Sequence, residues 1–298
     1  MEWGGVILEP ECSNLCLFCG KFPKVDSKEL ERQELNVKKN LEEFKGRGIE
    51  NVEISGGDPI EYPKIIDLMN DIKAMGFKEI RLSTHGRKLS DQNFLQEFIK
   101  SGCTQVKIPI YGHTAEIHDA VVRSKGSFEE TITGIKALVE QSSMLVHAGT
   151  LIMQQNKGHL IELLDFIKEL GIKDFSISIP CVADGNFSYY VPTKDLPPYV
   201  RKLQQYAKAL KFDIHFMEIP DCVFGRPTPE TDNRCRPPDL GDHCQPPQVY
   251  RTNVKSLPSY RVKGYTSICA VCKCKNFCNG FFVNDIEKFG IGNLKPIF

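Results

Sequence analysis

The feature that most constrains this 298-residue chain is a repeat of order rather than of sequence. Between Val6 and about Leu210, an amphipathic helix ends at a glycine and a short β-rich run follows. Arg47-Gly48 precedes Asn51-Val52-Glu53-Ile54-Ser55, and Met75-Gly76 precedes Glu79-Ile80-Arg81-Leu82-Ser83. Ser101-Gly102 precedes the run 105–110, and Leu170-Gly171 the run 174–179. Glycine just past a helix accepts the left-handed conformation that ends it. The run 145–153 lacks the glycine but keeps the order. Apolar residues at helical spacing mark the intervening helices: Val37, Leu41 and Phe44; Ile65, Met69 and Ile72; Ile132, Ile135 and Leu138; Leu160, Leu163, Leu164 and Ile167. Ser127 and Glu130 have the spacing of a capping box. Strict β–helix–β alternation demands parallel strands with right-handed crossovers.

Six such strands are expected, near residues 5–9, 52–56, 79–84, 105–110, 145–153 and 174–180, and after a helix around 195–210 a further strand over 212–219 begins the last part of the chain. Six are too few to close an eight-stranded barrel, and ligand sites in parallel sheets gather at the C-terminal strand ends. The first strand runs directly into Cys12, Cys16 and Cys19, spaced C-x3-C-x2-C. Three thiolates on one loop can ligate three irons of a cubane, whereas a fully protein-bound 4Fe–4S cluster takes four cysteines. The next cysteine is Cys103. One iron is thereby left open for a small molecule, the arrangement needed to bind and cleave S-adenosylmethionine. A structural zinc knuckle is the competing reading, but such knuckles favour paired C-x2-C or added histidines, and no histidine lies near this loop.

The loop resembles the signature of the radical S-adenosylmethionine (radical SAM) superfamily, and Phe18, an aromatic just before the third cysteine, fits it. The resemblance implies an α/β fold, an open six-stranded (β/α)6 TIM-like partial barrel. Gly56-Gly57-Asp58 resembles the family's Gly-Gly-Glu, whose backbone meets the methionyl amino group. Glycines there let the backbone approach a ligand closely. Ser83-Thr84-His85-Gly86 resembles Ser-Thr-Asn-Gly, which makes Ser83 and Thr84 candidate hydrogen-bond donors to the cofactor. The segment His118-Asp119 to Arg123 to Gly126-Ser127-Phe128 resembles one typical of family members with auxiliary clusters. It implies that Arg123 meets the methionyl carboxylate, a pairing that suits a guanidinium. His118 and Asp119 are read as structural, at a helix start. Near the sixth strand, Ile179-Pro180-Cys181-Val182-Ala183 is a candidate wall for adenine, with Ala183 as the contact.

The chain changes character after residue 211. Residues 221–264 are rich in proline, from Pro227 to Pro258, and read as irregular. Cys269, Cys272 and Cys278 follow with spacing C-x2-C-x5-C. With Cys222 they resemble the auxiliary-cluster tails called SPASM or twitch domains. Residues 1–211 are expected to form the partial barrel, and 212–298 a small Cys-rich auxiliary domain. The resemblance implies one auxiliary 4Fe–4S cluster on Cys222, Cys269, Cys272 and Cys278. Cys235, Cys244 or Cys274 could substitute or make a second site, and zinc is the competing occupant.

Formal net charge is zero, so nothing announces nucleic acid, and no apolar run approaches the ~20 residues that span a membrane. Twelve cysteines without a signal peptide favour metal ligation in a reducing cytoplasm over a disulfide framework. The resemblance implies an enzyme that reductively cleaves S-adenosylmethionine to a 5′-deoxyadenosyl radical and abstracts hydrogen from a substrate. It implies a low-potential electron donor such as ferredoxin or flavodoxin. Peptide maturation is the first expectation for the substrate and small-molecule or cofactor biosynthesis the alternative. Only eleven residues precede Cys12, which leaves no room there for a leader-peptide domain. A non-catalytic iron–sulfur carrier or scaffold is the rival from another class; it would not need Gly56, Gly57 or Arg123.

Overall fold

The computed structural model of the protein describes residues 3–8, 12–19, 27–182, 185–227, 263–276, 278 and 280–298. Seven strands form one sheet in sequence order: β1 (Trp3–Leu8), β2 (Asn51–Gly56), β3 (Glu79–Ser83), β4 (Gln105–Pro109), β5 (Leu145–Leu151), β6 (Asp174–Ser178) and β7 (Asp213–Phe216). All neighbours pair parallel. The helices between them are α1 (Ser27–Gly46), α2 (Ile65–Ala74), α3 (Gln92–Lys100), α4 (Ala115–Val122), α5 (Ser127–Gln141), α6 (Leu160–Glu169) and α7 (Pro197–Leu210). Right-handed crossovers between strands taken in order put these helices on one face of the sheet.

That face holds the core. Val52, Ile54, Ile80, Leu82, Val106, Ile108, Phe175 and Ile177 meet Leu41, Phe44, Met69, Phe98, Leu138 and Ile167 of the helices, each at most 2% exposed. Burial at about 1.5–3 kcal/mol per large side chain makes this layer the main source of stability. The fit is close: a Cβ on Gly4 would lie 2.3 Å from Cδ2 of Phe44, so α1 packs directly on the β1 backbone.

The α/β, barrel-like order is as expected, and the further strand expected over 212–219 forms, but it extends the barrel sheet instead of belonging to the tail. β7 joins the same sheet, pairing Ile177 with Phe216, so the sheet runs past residue 211. No glycine ends α7; Lys211 does so itself, in the left-handed region with φ 52°. The expected Ser127–Glu130 capping box is also absent. Gly126 occupies the cap, and Asp119 supplies the acceptor instead, taking hydrogen bonds from Gly126 N and Phe128 N at 2.7 and 2.9 Å. A carboxylate at a helix N-terminus is favoured by the helix dipole. Asp119 thus takes the helix-start role read for it, and Glu130 turns to Arg87.

The end of the chain docks on the sheet's C-terminal side. A short antiparallel pair, β8 (Lys263–Gly264) with β9 (Phe281–Phe282), leads into α8 (Val283–Phe289). Asp285 is fully buried and accepts from Thr193 N at 3.2 Å, Asn284 donates to Val182 O at 3.2 Å, and the Phe289 ring stacks on Tyr190. Most of the proline-rich segment, residues 228–262, lies outside the described residues, as do Cys235 and Cys244. Among the described residues no helix is long and apolar enough to cross a membrane.

Candidate active site

The cysteine loop leaves the C-terminal end of β1, and Cys12, Cys16 and Cys19 are all free thiols. Its shape comes from its neighbours. Leu15 N and Leu17 N donate to Val122 O and Val121 O at 2.9 and 3.0 Å, carbonyls that the end of α4 leaves unpaired. Ser13 N donates to the Glu61 carboxylate at 3.0 Å. Arg87 Nη1 donates to Ser13 Oγ, Asn14 Oδ1 and Ser124 Oγ, each at 3.0 Å. Phe18 tilts against Tyr111 with ring centroids 5.4 Å apart, and Tyr111 against His118 at 5.7 Å.

Burial pushes the Cys16 thiol up to about 12, and the adjacent Cys19 and Cys12 push the same way. A bound cation would invert that balance for Cys16. An all-thiol donor set of this kind fits iron–sulfur ligation.

The double glycine does two things. Gly56 ends β2 with φ 138°, and a Cβ there would lie 1.6 Å from Leu8 O. The close approach is therefore to β1, and Gly57 N donates to the same carbonyl at 3.1 Å. Asp58 is fully buried; it accepts from Ile60 N at 3.2 Å, Thr84 Oγ1 at 2.5 Å and His85 N at 3.1 Å. Ser83 Oγ donates to Glu53 at 3.0 Å. The polar side chains proposed from sequence for the cofactor are thus brought together at adjacent strand ends, with their side-chain hydrogen bonds made to each other and to Glu53. His85 Nε2 lies 2.6 Å from Asp58 and 2.9 Å from Glu61. Burial alone would depress this imidazole; hydrogen bonds to Asp58, Cys12 and Glu61 outweigh it and raise its pKa to about 11.

Arg123 is exposed at the end of α4, with φ 55°, directly after the Val122 carbonyl that holds Leu15. Ala183 lies outside the described residues; the preceding Val182 is buried beside Tyr111, Tyr189 and Tyr190. In the tail, Cys222, Cys269, Cys272 and Cys278 line one small cleft, together with Cys274. Burial raises the Cys222 thiol, and Cys278, Cys269 and Cys272 raise it further. Gly280 N and Ile297 N point at the sulfurs of Cys278 and Cys272, each at 3.4 Å. The donor set fits an iron–sulfur cluster and, on charge alone, zinc.

Sequence reasoning missed Glu61, Arg87 and the whole helix-free face of the sheet. On that face Arg81 lies 3.7 Å from Glu53, bonds Gln105 at 2.9 Å and covers the Trp3 ring at 4.0 Å. Asp174 sits between two imidazoles, 2.6 Å from His147 Nδ1 and 3.3 Å from His215 Nε2, and His147 Nε2 is 3.0 Å from Ser176 Oγ. The signal was present as alternation. A parallel strand buried on both faces reads as continuous apolar sequence, whereas Glu79-Ile80-Arg81-Leu82-Ser83 and Gln105-Val106-Lys107-Ile108 alternate polar with apolar.

The family model described as the radical SAM superfamily matches residues 6–167. Among curated proteins, a probable GTP 3′,8-cyclase of Saccharolobus islandicus is 19% identical over 203 residues, 66% of this chain and 64% of that protein. A probable GTP 3′,8-cyclase of Methanococcus aeolicus is 25% identical over 175 residues, 56% of each chain. The chain thus spans 56–64% of the length of these curated relatives. Among solved structures, Streptococcus suis SuiB bound to precursor peptide SuiA matches with a TM-score of 0.54 at 18% identity, covering 72% of this chain and 48% of that one. Native anSMEcpe with bound AdoMet matches with a TM-score of 0.56 at 13% identity, covering 72% and 64%.

Proposed function

The chain belongs to the radical SAM superfamily, and on that premise we propose that it cleaves S-adenosylmethionine reductively and abstracts hydrogen from a small polar substrate seated on the helix-free face of the sheet. One observation carries the reading: the free thiols of Cys12, Cys16 and Cys19 meet the ends of β2 and β3 through Ser13, Glu61, His85 and Arg87. In this reading Cys12, Cys16 and Cys19 hold a 4Fe–4S cluster. Bound there, the cluster would supply the one electron that cleavage of the cofactor's sulfonium requires. The chain's own residues do the rest. Phe18 and Tyr111 shield the loop, and Arg87 with Glu61 fixes its position. The Gly56-Gly57 backbone and the exposed Arg123 receive the methionyl group, and residues 182–183 border the adenine. Cys222, Cys269, Cys272 and Cys278 hold an auxiliary cluster in the tail that follows β7, with ferredoxin or flavodoxin as electron source in a reducing cytoplasm.

The charged helix-free face favours a small polar substrate, and the curated relatives are named for GTP. Peptide maturation is the second reading; it rests on the Cys-rich tail and on the fold shared with SuiB, solved with a precursor peptide. Anaerobically reconstituted, reduced protein is expected to form 5′-deoxyadenosine, and the Cys12→Ala, Cys16→Ala, Cys19→Ala triple variant to form none. Iron bound without any 5′-deoxyadenosine from the wild type would instead favour a non-catalytic carrier. Arg123→Ala is expected to weaken S-adenosylmethionine binding by about 1.5–3 kcal/mol with iron content unchanged.

A further inference from the structure

The register of the sheet lays out one continuous polar rung. Ser83 of β3 pairs with Lys107 of β4, Lys107 with His147 of β5, and His147 with Asp174 of β6. All four occupy alternate positions to the apolar residues that face the helices, so their side chains share the opposite face. The next rung toward the C-terminal ends pairs Gly149 with Ser176, and Ser176 with His215.

Charges on this face are paired at two places, and Glu79 accepts from Thr104 Oγ1 and Gln105 Nε2. Arg81 has Glu53, and Asp174 has His147 and His215. Lys107 forms no ion pair or hydrogen bond with another described residue and is only half-exposed. An ammonium drawn partly out of water without a counter-ion is unfavourable in the resting protein. Above it the sheet is cut back. Gly149 lies on the same face, and a Cβ there would come 3.2 Å from Ser176 Oγ and 3.8 Å from Lys107 Cε. The absent side chain leaves a shallow hollow floored by backbone, bounded by the Lys107 stem at Cε and by the Ser176 hydroxyl. The rung begins at Ser83, at the end of the strand that carries Thr84 and His85, so the hollow adjoins the cofactor side of the face.

We propose that this hollow is an oxyanion subsite: Lys107, Ser176 and the space over Gly149 receive a phosphate or carboxylate group of the substrate and so present its carbon skeleton to the strand ends. The His147–Asp174–His215 group is a positioning element, which holds Ser176 through His147 and keeps Asp174 from competing for Lys107. The proposal rests on the radical reading of the same site and narrows its substrate class to anionic molecules.

The test uses anaerobically reconstituted wild-type protein with labelled inorganic phosphate in equilibrium dialysis, and organic carboxylates as competitors to separate the two oxyanion classes. Saturable binding is expected. It should weaken about tenfold or more in Lys107→Gln and in Gly149→Val, and persist in Lys107→Arg, because a lost charge-assisted hydrogen bond is worth roughly that factor. A second measurement needs no variant: phosphate should slow acetylation of Lys107 by an amine-reactive ester, read by mass spectrometry. Absence of saturable binding in the wild type, wild-type affinity in folded Lys107→Gln, or acetylation of Lys107 indifferent to phosphate would overturn the proposal. Formation of 5′-deoxyadenosine by the same wild-type preparation reports separately on the radical reading, so the two can fail independently.

Discussion

Arg87 Nη1 donates to Asn14 Oδ1 at 3.0 Å across 73 residues of sequence. The contact joins the turn after β3 to the middle of the cysteine loop. The same guanidinium reaches Ser13 and Ser124, and its Nε pairs with Glu130 at 2.5 Å. A short polar loop has no core of its own, so this one side chain sets much of the geometry of the three thiols.

Arg87→Met keeps most of the side-chain length and removes every one of these hydrogen bonds. Asn14 is buried and would lose its charged donor. The expected cost is about 2–3 kcal/mol in denaturant unfolding, in the range for hydrogen bonds to charged groups. Iron should also be lost faster to a chelator. Release at the wild-type rate would show that the loop holds its shape without Arg87.

Gly56→Ala tests the junction of β1 and β2. A Cβ 1.6 Å from Leu8 O cannot be accommodated by a side-chain shift, because the obstacle is backbone, and φ 138° is closed to alanine. A loss of at least about 3 kcal/mol is expected, large for one methyl group. Thermal melting of the variant beside wild type checks it; a midpoint within a degree would contradict the geometry.

His118 links stability to pH. It is buried, its Nδ1 accepts from Tyr111 N at 3.3 Å, and burial pushes its pKa down to about 4, with His85 and Arg87 adding to that effect against the pull of Asp119. Between about 6.5 and 4 the unfolded chain binds a proton that the folded chain does not. Stability is therefore highest above about pH 6.5 and falls as pH drops toward 4. From pH 7.5 to 5.5 this group accounts for about 1 kcal/mol. His118→Asn, which keeps an acceptor without the titration, should show a fall smaller by that amount in paired denaturant titrations.

Replacing Cys269, Cys272 and Cys278 with alanine tests the tail. Iron is expected to fall from about eight to about four per chain, one cubane's worth, and residues after 221 to become protease-sensitive, since metal ligation couples to folding. The sheet should survive, because its core lies among β1–β7 and the helices. A wild type holding only about four irons with one tightly bound zinc would assign the cleft to zinc.

Local order was legible in the residues themselves. Helical spacing of apolar positions, β-rich runs and the glycines that stop helices marked all seven strands, because these signals act within a few residues. The cysteine spacing likewise announced its chemistry, since ligands on one loop need no help from the rest of the chain. Signals failed where a residue took an unexpected local role. The Ser127–Glu130 box did not form, because Gly126 takes the cap of α5 and Glu130 pairs with Arg87.

The remaining features belong to the tertiary structure. That Arg87 reaches Asn14, that Asp58 is spent on Thr84 and His85, and that Cys222 shares a cleft with Cys269, Cys272 and Cys278 are contacts between distant segments. The alternation of charge along β3 and β4 was written in the sequence, but the strand register alone aligned Ser83, Lys107, His147 and Asp174 into one rung. Periodicity says which face a residue takes. Register, set by the packing of every helix and strand at once, decides which residues become neighbours on that face.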